Sequence, residues 1–371
     1  NYASLFGYAI GDPKIGNVTL QNATITGNAH IGALVGETDG EIYDVQVNGT
    51  VTTNLATGTT APNGYGATRS GGVVGMLESS GTVTNATASV EITGTDLRYR
   101  LGGLVGYSNG EIRDSQATGD IAGSIGIGGL VGRNVGLIEN STATGTITGV
   151  DDPVGDMGAI GGLVGFNGPI TTGTGTVTLS HATGTVSAAD GGQIGGLIGS
   201  NADIVTKSYA TGSVDGDNRV GGLVGRNADT GASVSESYAT GTISGTTDVG
   251  GLVGYNEQGT VSDSYANGTV DSGAPAGGLV GHNNGGTVAD SFSTGAVSGT
   301  DPNTVGGFVG QNDGTVTDTY WRDTTDNPDT AFGDGSGDAT GLTTAEMRGM
   351  NATRNMENLP FYAAWVPTKG D

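Results

Sequence analysis

Few side chains in this 371-residue sequence have the chemistry for catalysis, and their spacing keeps them apart. There are three histidines, His30, His181 and His282, and no cysteine, so disulfides and thiolate metal sites are excluded. The histidines fall in separate parts of the chain, with no nucleophile and carboxylate at a recurring offset, so no triad is indicated. Asp334, Ser336 and Asp338 alternate with glycines and offer oxygen ligands in the manner of a Ca²⁺ loop. Ala345 stands where the twelfth-position Glu of such a loop belongs, so a flexible acidic loop is the better reading. A polysaccharide-active enzyme would want carboxylates gathered on one face, whereas here the acids are spread through turns.

The more suggestive set is aromatic. Tyr209, Tyr238, Tyr265, Phe292 and Tyr320 recur at one offset, and the earlier members of that column are Gln116, Thr142 and His181. In an extended strand each lies opposite its Ser and Ala neighbours, hence on the outside. Two roles fit such a column: stacking that stabilises a ladder, or a contact stripe for a glycan or protein partner. Seven N-x-[ST] sequons, at Asn17, Asn22, Asn48, Asn85, Asn140, Asn267 and Asn351, offer glycan acceptors on exposed turns of an exported protein.

What positions these residues is a repeat. A G-G-L-V-G core, then x-N, then V-x-x-S-Y-A-T-G-T-V, begins at Gly32, Gly71, Gly102, Gly128, Gly161, Gly195, Gly221, Gly250, Gly277 and Gly306. A degenerate copy at Leu5-Phe6-Gly7-Tyr8 makes about eleven. Each copy contains three β-favouring pieces, Val249–Gly254, Val261–Ala266 and Gly268–Val270 in the copy at Gly250, separated by Gly, Asn and Asp turns. A unit this small cannot bury its own apolar side chains, so neighbours must stack. Four-stranded propeller blades need longer repeats, and the spacing predicts an all-β, right-handed parallel β-helix, a β-solenoid of about eleven turns.

Stacking at ~4.8 Å per turn converts repeat positions into ladders. One runs Leu34, Val73, Leu104, Leu130, Leu163, Leu197, Leu223, Leu252, Leu279, Phe308; its neighbour runs Val35, Val74, Val105, Val131, Val164, Ile198, Val224, Val253, Val280, Val309. Two adjacent apolar columns conflict with strand alternation, so one must be covered by a linker, a second chain or a bend. A third ladder, Asn134, Asn167, Asn201, Asn227, Asn256, Asn283 and Asn312, reads as a turn device, with amides bonded along the column and a tolerance for left-handed backbone.

The recurring G-G-L-V-G-x-N-x-G-x-V-x-x-S-Y-A-T-G resembles the GLUG-repeat family of extracellular bacterial and archaeal proteins. That resemblance spans about Ser4 to Trp321. It implies surface display with adhesion or scaffolding, and brings no catalytic residues. The copies around Gln46 and Thr87 lack Ser-Tyr-Ala, so the first three turns are expected to be less regular. The expected organisation is a repeat array over 1–320 and a C-terminal cap over 321–371. The cap comprises an acidic loop at Trp321–Asp338, a short helix opened by a Thr343-x-x-Glu346 capping box, and Phe361, Tyr362 and Trp365 folded over the last coil. No comparable cap precedes Leu5, which suggests that the natural chain continues upstream or that a partner covers this end. The longest linkers, Thr52–Ser70, Val150–Ala159 and Phe166–Thr176, are a second place for binding, because insertions in solenoids collect on one side.

Charge narrows the partners. Against 37 Asp and Glu there are 13 Lys and Arg, of which three are lysines, giving −24. Nucleic acid and anionic lipid are repelled, and no apolar run approaches the ~20 residues of a membrane span. An acidic surface with little lysine fits a halophile, where salt screens self-repulsion. The expectation is an extracellular or cell-surface adhesin or appendage subunit, without cofactor or metal and without catalysis. Its partners would be other surface proteins, cell surfaces, glycans, or copies of itself in a filament. A viral tail fibre or spike, and a polysaccharide-active enzyme, are the alternatives.

Overall fold

The computed structural model describes residues 2–53, 68–94, 99–150, 158–168, 174–189 and 192–359. Every strand pairing within the stack is parallel, and strands pair with their equivalents one repeat away. The result is a β-solenoid with three faces. The first face is an 11-stranded sheet and the second a 12-stranded sheet, each taking one strand per coil in chain order. The predicted ladders are in register: Val105 pairs with Val131, Val253 with Val280 and Asn256 with Asn283, and the Leu104 N–H donates to the Leu130 carbonyl at 2.9 Å.

The coil around Gly250 shows why the repeat folds this way. Thr247–Gly250 belongs to the first face and Val253–Glu257 to the second, with the chain bending at Gly251 and Leu252. That bend resolves the conflict between the two apolar columns. Leu252 and Val253 are both fully buried in one core, because the turn between them breaks the alternation. Gly251 is needed at this corner: a Cβ there would lie 2.1 Å from the Gly278 carbonyl oxygen and 2.9 Å from the Ala266 Cβ. The third face takes Thr260–Ser262, Tyr265–Ala266 and Val270–Ser272, so a coil holds five short strands rather than three longer pieces.

The third face is broken by a residue sequence reasoning did not single out. The position before Ser-Tyr-Ala adopts a left-handed backbone in coil after coil: Asp114, Asn140, Leu179, Lys207, Glu236, Asp263, Asp290 and Asp318 have φ between 47 and 54°. The bend turns the following Ser inward, where it is buried. The Ser264 hydroxyl donates to the Ser262 carbonyl at 2.7 Å and accepts the Ser237 N–H at 3.2 Å. The same pair of bonds recurs at Ser141, Ser180, Ser208, Ser237 and Ser291. This inner serine ladder satisfies backbone groups that the bend would otherwise strand inside the core. The early coils, without Ser-Tyr-Ala, run as single long strands, Lys14–Gly27, Glu41–Thr53 and Thr82–Gly94, yet keep the left-handed residue of this column at Asn17, Asp44 and Asn85.

The asparagine ladder is continuous. Each Nδ2 from Asn134 to Asn283 donates to the Oδ1 of the next Asn at 2.7–2.9 Å, and all seven residues are buried. The ladder serves the turn through side-chain bonds alone. None of the seven has positive φ, so the expected left-handed geometry belongs to the column before the serines instead.

The stack runs past Tyr320. Phe332–Gly335, expected to lie in an acidic loop, pairs with Val309–Asn312 as the twelfth strand of the second face, and Ala339–Leu342 pairs with Thr319–Arg322. Thr343 and Glu346 make the reciprocal capping contacts, with Glu346 Oε2 2.8 Å from the Thr343 N–H. They close a turn, and the helix begins later, at Gly349–Asn355. Its Ala352, with Met356 and Leu359 beyond, covers Tyr320. Phe361, Tyr362 and Trp365 lie outside the described residues, as do 54–67, 151–157 and 169–173 of the three long linkers. Among the described residues, no helix is long and apolar enough to cross a membrane.

Candidate functional site

The aromatic column forms one stacked stripe on the third face. His181 and Tyr209 have ring centroids 4.5 Å apart, Tyr209 and Tyr238 4.8 Å, Tyr238 and Tyr265 4.9 Å, and Tyr265 and Phe292 5.0 Å. Interplanar angles are 3–11°. The cause is the register itself: residues paired one coil apart are forced to the rung spacing, close to the stacking distance of aromatic rings. All five rings are half-buried, while the Ala, or Ser293, beside each points into the core. Tyr320 is the exception. It pairs with Phe292 but is buried beneath the C-terminal helix, so the half-exposed stripe ends at Phe292.

This geometry constrains what the stripe can bind. The ring faces are spent on one another, so a sugar cannot lie flat on an interior ring. The outward edges remain, including the phenolic ends of Tyr209 and Tyr238. The stripe has polar borders: half-buried Asp263 and Asp290 on one side, and on the other Asn267 and Thr294, joined by a 2.8 Å hydrogen bond. Burial, and then the neighbouring Tyr209, raise the Tyr238 pKa, so the hydroxyl stays protonated.

The histidines occupy three different settings. His181 caps the aromatic stack, and burial lowers its pKa. His30 contacts Glu37 at 2.8 Å and Arg69 at 3.2 Å; burial, then the Arg69 charge, lower its pKa despite the carboxylate. His282 lies 3.5 Å from Asp248 and 3.0 Å from Asp313; burial opposes its charge, but the two carboxylates outweigh it and raise the pKa. His181 is held by the aromatic stack, and His30 and His282 by charged side chains around them.

Asp334, Ser336 and Asp338 are used by the twelfth coil. Asp334 pairs with Gln311, the Ser336 carbonyl accepts from Asn312 at 2.6 Å, and the Asp338 carbonyl accepts from Thr319 at 2.7 Å. Among the described residues no group of three His, Asp or Glu is placed to hold a metal.

All seven sequon asparagines are exposed, and Asn17, Asn22, Asn85 and Asn140 sit at left-handed bends. The amides of Asn85 and Asn140 donate to Asp44 and Asp114, and that of Asn351 to the Ala345 carbonyl.

Comparison with known proteins recovers part of the repeat. The family profile described as "The GLUG motif" matches residues 98–122, 123–148, 216–244 and 245–271. A protein named halomucin, from Haloquadratum walsbyi, is 37% identical over 132 residues, a match covering 29% of this chain. The matched segment is 1% of halomucin's own length. No solved structure matches the chain significantly.

Proposed function

Because this chain is a GLUG-repeat protein, we propose that it is a non-catalytic, surface-associated β-solenoid that gives length and a contact face to the outside of a halophilic cell. Its adhesive surface is the outer edge of the stripe from His181 to Phe292. The observation that carries this reading is the flat run of five aromatic rings at 4.5–5.0 Å, half-exposed and edged by polar side chains. Exposed aromatic edges with polar borders are favoured at interfaces. The likeness to halomucin, and the −24 charge with three lysines, support a halophilic surface setting. The exposed sequons support glycan attachment at Asn17, Asn22, Asn48 and Asn267, whose amide nitrogens show no donor bond among the described residues.

The test separates contact from packing on the same side chains. Tyr238→Phe with Tyr265→Phe keeps the stack and removes two hydroxyls, whereas the double Ser variant removes the stack. If the stripe is a contact face, the Phe pair lowers attachment to cells or immobilised glycans while melting at the wild-type temperature. Unchanged attachment per folded molecule in both variants would show the column to be structural only.

A further inference from the structure

The first and second faces meet in a notch that runs along the rod and is unrelated to the aromatic stripe. Its floor is glycine: a Cβ on Gly106 would lie 2.4 Å from the Ser70 N, and one on Gly132 2.6 Å from the Arg100 carbonyl carbon. Backbone therefore packs on backbone, and the side chains flanking these glycines face each other across the notch. Three arginines stand there in consecutive coils. Arg69 and Arg100 are rung partners on the first face, and Arg133 is the rung partner of Tyr107 on the second. The Cζ atoms of Arg69 and Arg100 lie 4.8 and 5.0 Å from the Tyr107 ring centroid.

Lys14, Arg113, Lys207, Arg226 and Arg322 each contact a carboxylate. Among the described residues no carboxylate contacts Arg69, Arg100 or Arg133. The nearby Glu37 is engaged by His30. Glu78 feels the Arg69 charge, although burial and then Glu37 raise the Glu78 pKa overall. Arg133 spends one Nη2 bond on the Gly168 carbonyl, at 2.8 Å, and rests on Phe166. The Nε atoms of Arg69 and Arg133 are buried without a hydrogen-bond partner. Burial, and then the charges of Arg133 and Arg69, push Arg100 down to about 10. Partly desolvated like charges with unfilled donors are costly unless an anion joins them.

We propose that Arg69, Arg100 and Arg133 form a binding site for a tetrahedral oxyanion of the sulfate class, free or carried as an ester on an acidic polysaccharide. A planar carboxylate is satisfied by one guanidinium fork. Two forks against the Tyr107 ring, with a third over Phe166, suit an anion with several oxygens in different planes. The net charge of the chain opposes such a ligand, so binding must come from this local cluster. In the half-buried notch it survives salt that screens exposed pairs.

The experiment is calorimetric titration in KCl at constant ionic strength. Potassium sulfate, a sulfated oligosaccharide and its unsulfated counterpart are each added to wild type, Arg100→Gln, Arg133→Gln and Arg113→Gln. Sulfate and the sulfated sugar should bind wild type and the unsulfated sugar should not. Arg100→Gln and Arg133→Gln should each weaken binding about tenfold or more, and Arg113→Gln, whose partners are Glu111 and Glu139, should leave it unchanged. Tighter binding of the sulfated sugar than of free sulfate identifies the ester as the ligand; equal affinities identify the free anion. No binding of either to wild type, or wild-type affinity in whichever of the two notch variants folds, overturns the proposal.

Discussion

The corner glycine gives the sharpest test of the architecture. Gly251→Ala places a Cβ 2.1 Å from a backbone oxygen of the next coil, more than 1 Å inside ordinary contact, and 2.9 Å from the Ala266 Cβ. Neither neighbour is a flexible side-chain end, so the two coils must part. The bonds nearest the clash are Gly251 N–H to the Gly277 carbonyl at 3.1 Å, and the Leu252 and Val253 N–H groups to the Leu279 carbonyl at 2.9 and 3.0 Å. Overpacking costs about 1–3 kcal/mol, and weakening two of these bonds adds about 1 kcal/mol each. Gly231→Ala is the control, because nothing lies within 4 Å of its added Cβ. Both variants lose the same unfolded-state freedom, so their difference isolates the clash at about 3–5 kcal/mol. Denaturant unfolding measures that difference, and hydrogen exchange at Leu252 and Val253 shows whether the loss is local, as a one-dimensional stack requires. If the two variants agree to within about 0.5 kcal/mol, the corner is not packed as described.

Two further outcomes are expected. Asp263, Asp290 and Asp318 occupy one column, and burial followed by its two neighbours raises the Asp290 pKa. At ~4.8 Å each neighbour costs about 0.5 kcal/mol at 0.1 M salt and about 0.2 at 1 M. Asp290→Asn, which keeps a side chain tolerant of the left-handed bend, should therefore stabilise by about 1 kcal/mol in 0.1 M KCl and by about a third of that in 1 M; a gain independent of salt refutes the repulsion. His282 has a raised folded pKa, so its stabilisation is complete below the ordinary imidazole value and is lost as pH rises through the folded one. From about pH 6 to about pH 8, wild type should lose melting temperature relative to His282→Gln; parallel curves rule the linkage out.

The parts of the fold legible in the sequence are those where each coil repeats the same chemistry at the same offset. Leu and Val columns, the Asn ladder and the aromatic stack are homogeneous, so aligning the cores places them on one rung. The serine ladder was equally visible in Ser141, Ser180, Ser208, Ser237, Ser264 and Ser291, yet a short polar residue beside a tyrosine reads as surface until the bend turns it inward. The left-handed column is harder to see, because Leu179, Lys207 and Glu236 stand where Asp and Asn serve elsewhere. There the inner serine bonds, more than the residue's own preference, hold the backbone. The notch was not legible at all. Its walls come from two columns of mixed residues, and only the glycine floor brings Arg100 against Tyr107 and Arg133. Tyr320 was misplaced for a related reason: what buries it is a helix roughly thirty residues further along the chain.

The way the rungs are oriented also sets how the rod carries load. Interstrand hydrogen bonds run along the long axis, so tension applied through the chain ends peels one terminal coil at a time, like a zipper, while in the inner coils the same force is shared over several bonds. The 27 residues from Gly250 to its partner Gly277 occupy one rung of ~4.8 Å when coiled, and about 90 Å when drawn out. Each coil that lets go thus lengthens the tether nearly twentyfold over its folded rise, while the remaining coils stay intact. Under a steady pull such a rod would release chain in steps instead of snapping, and rewind from the intact coils when the pull slackens.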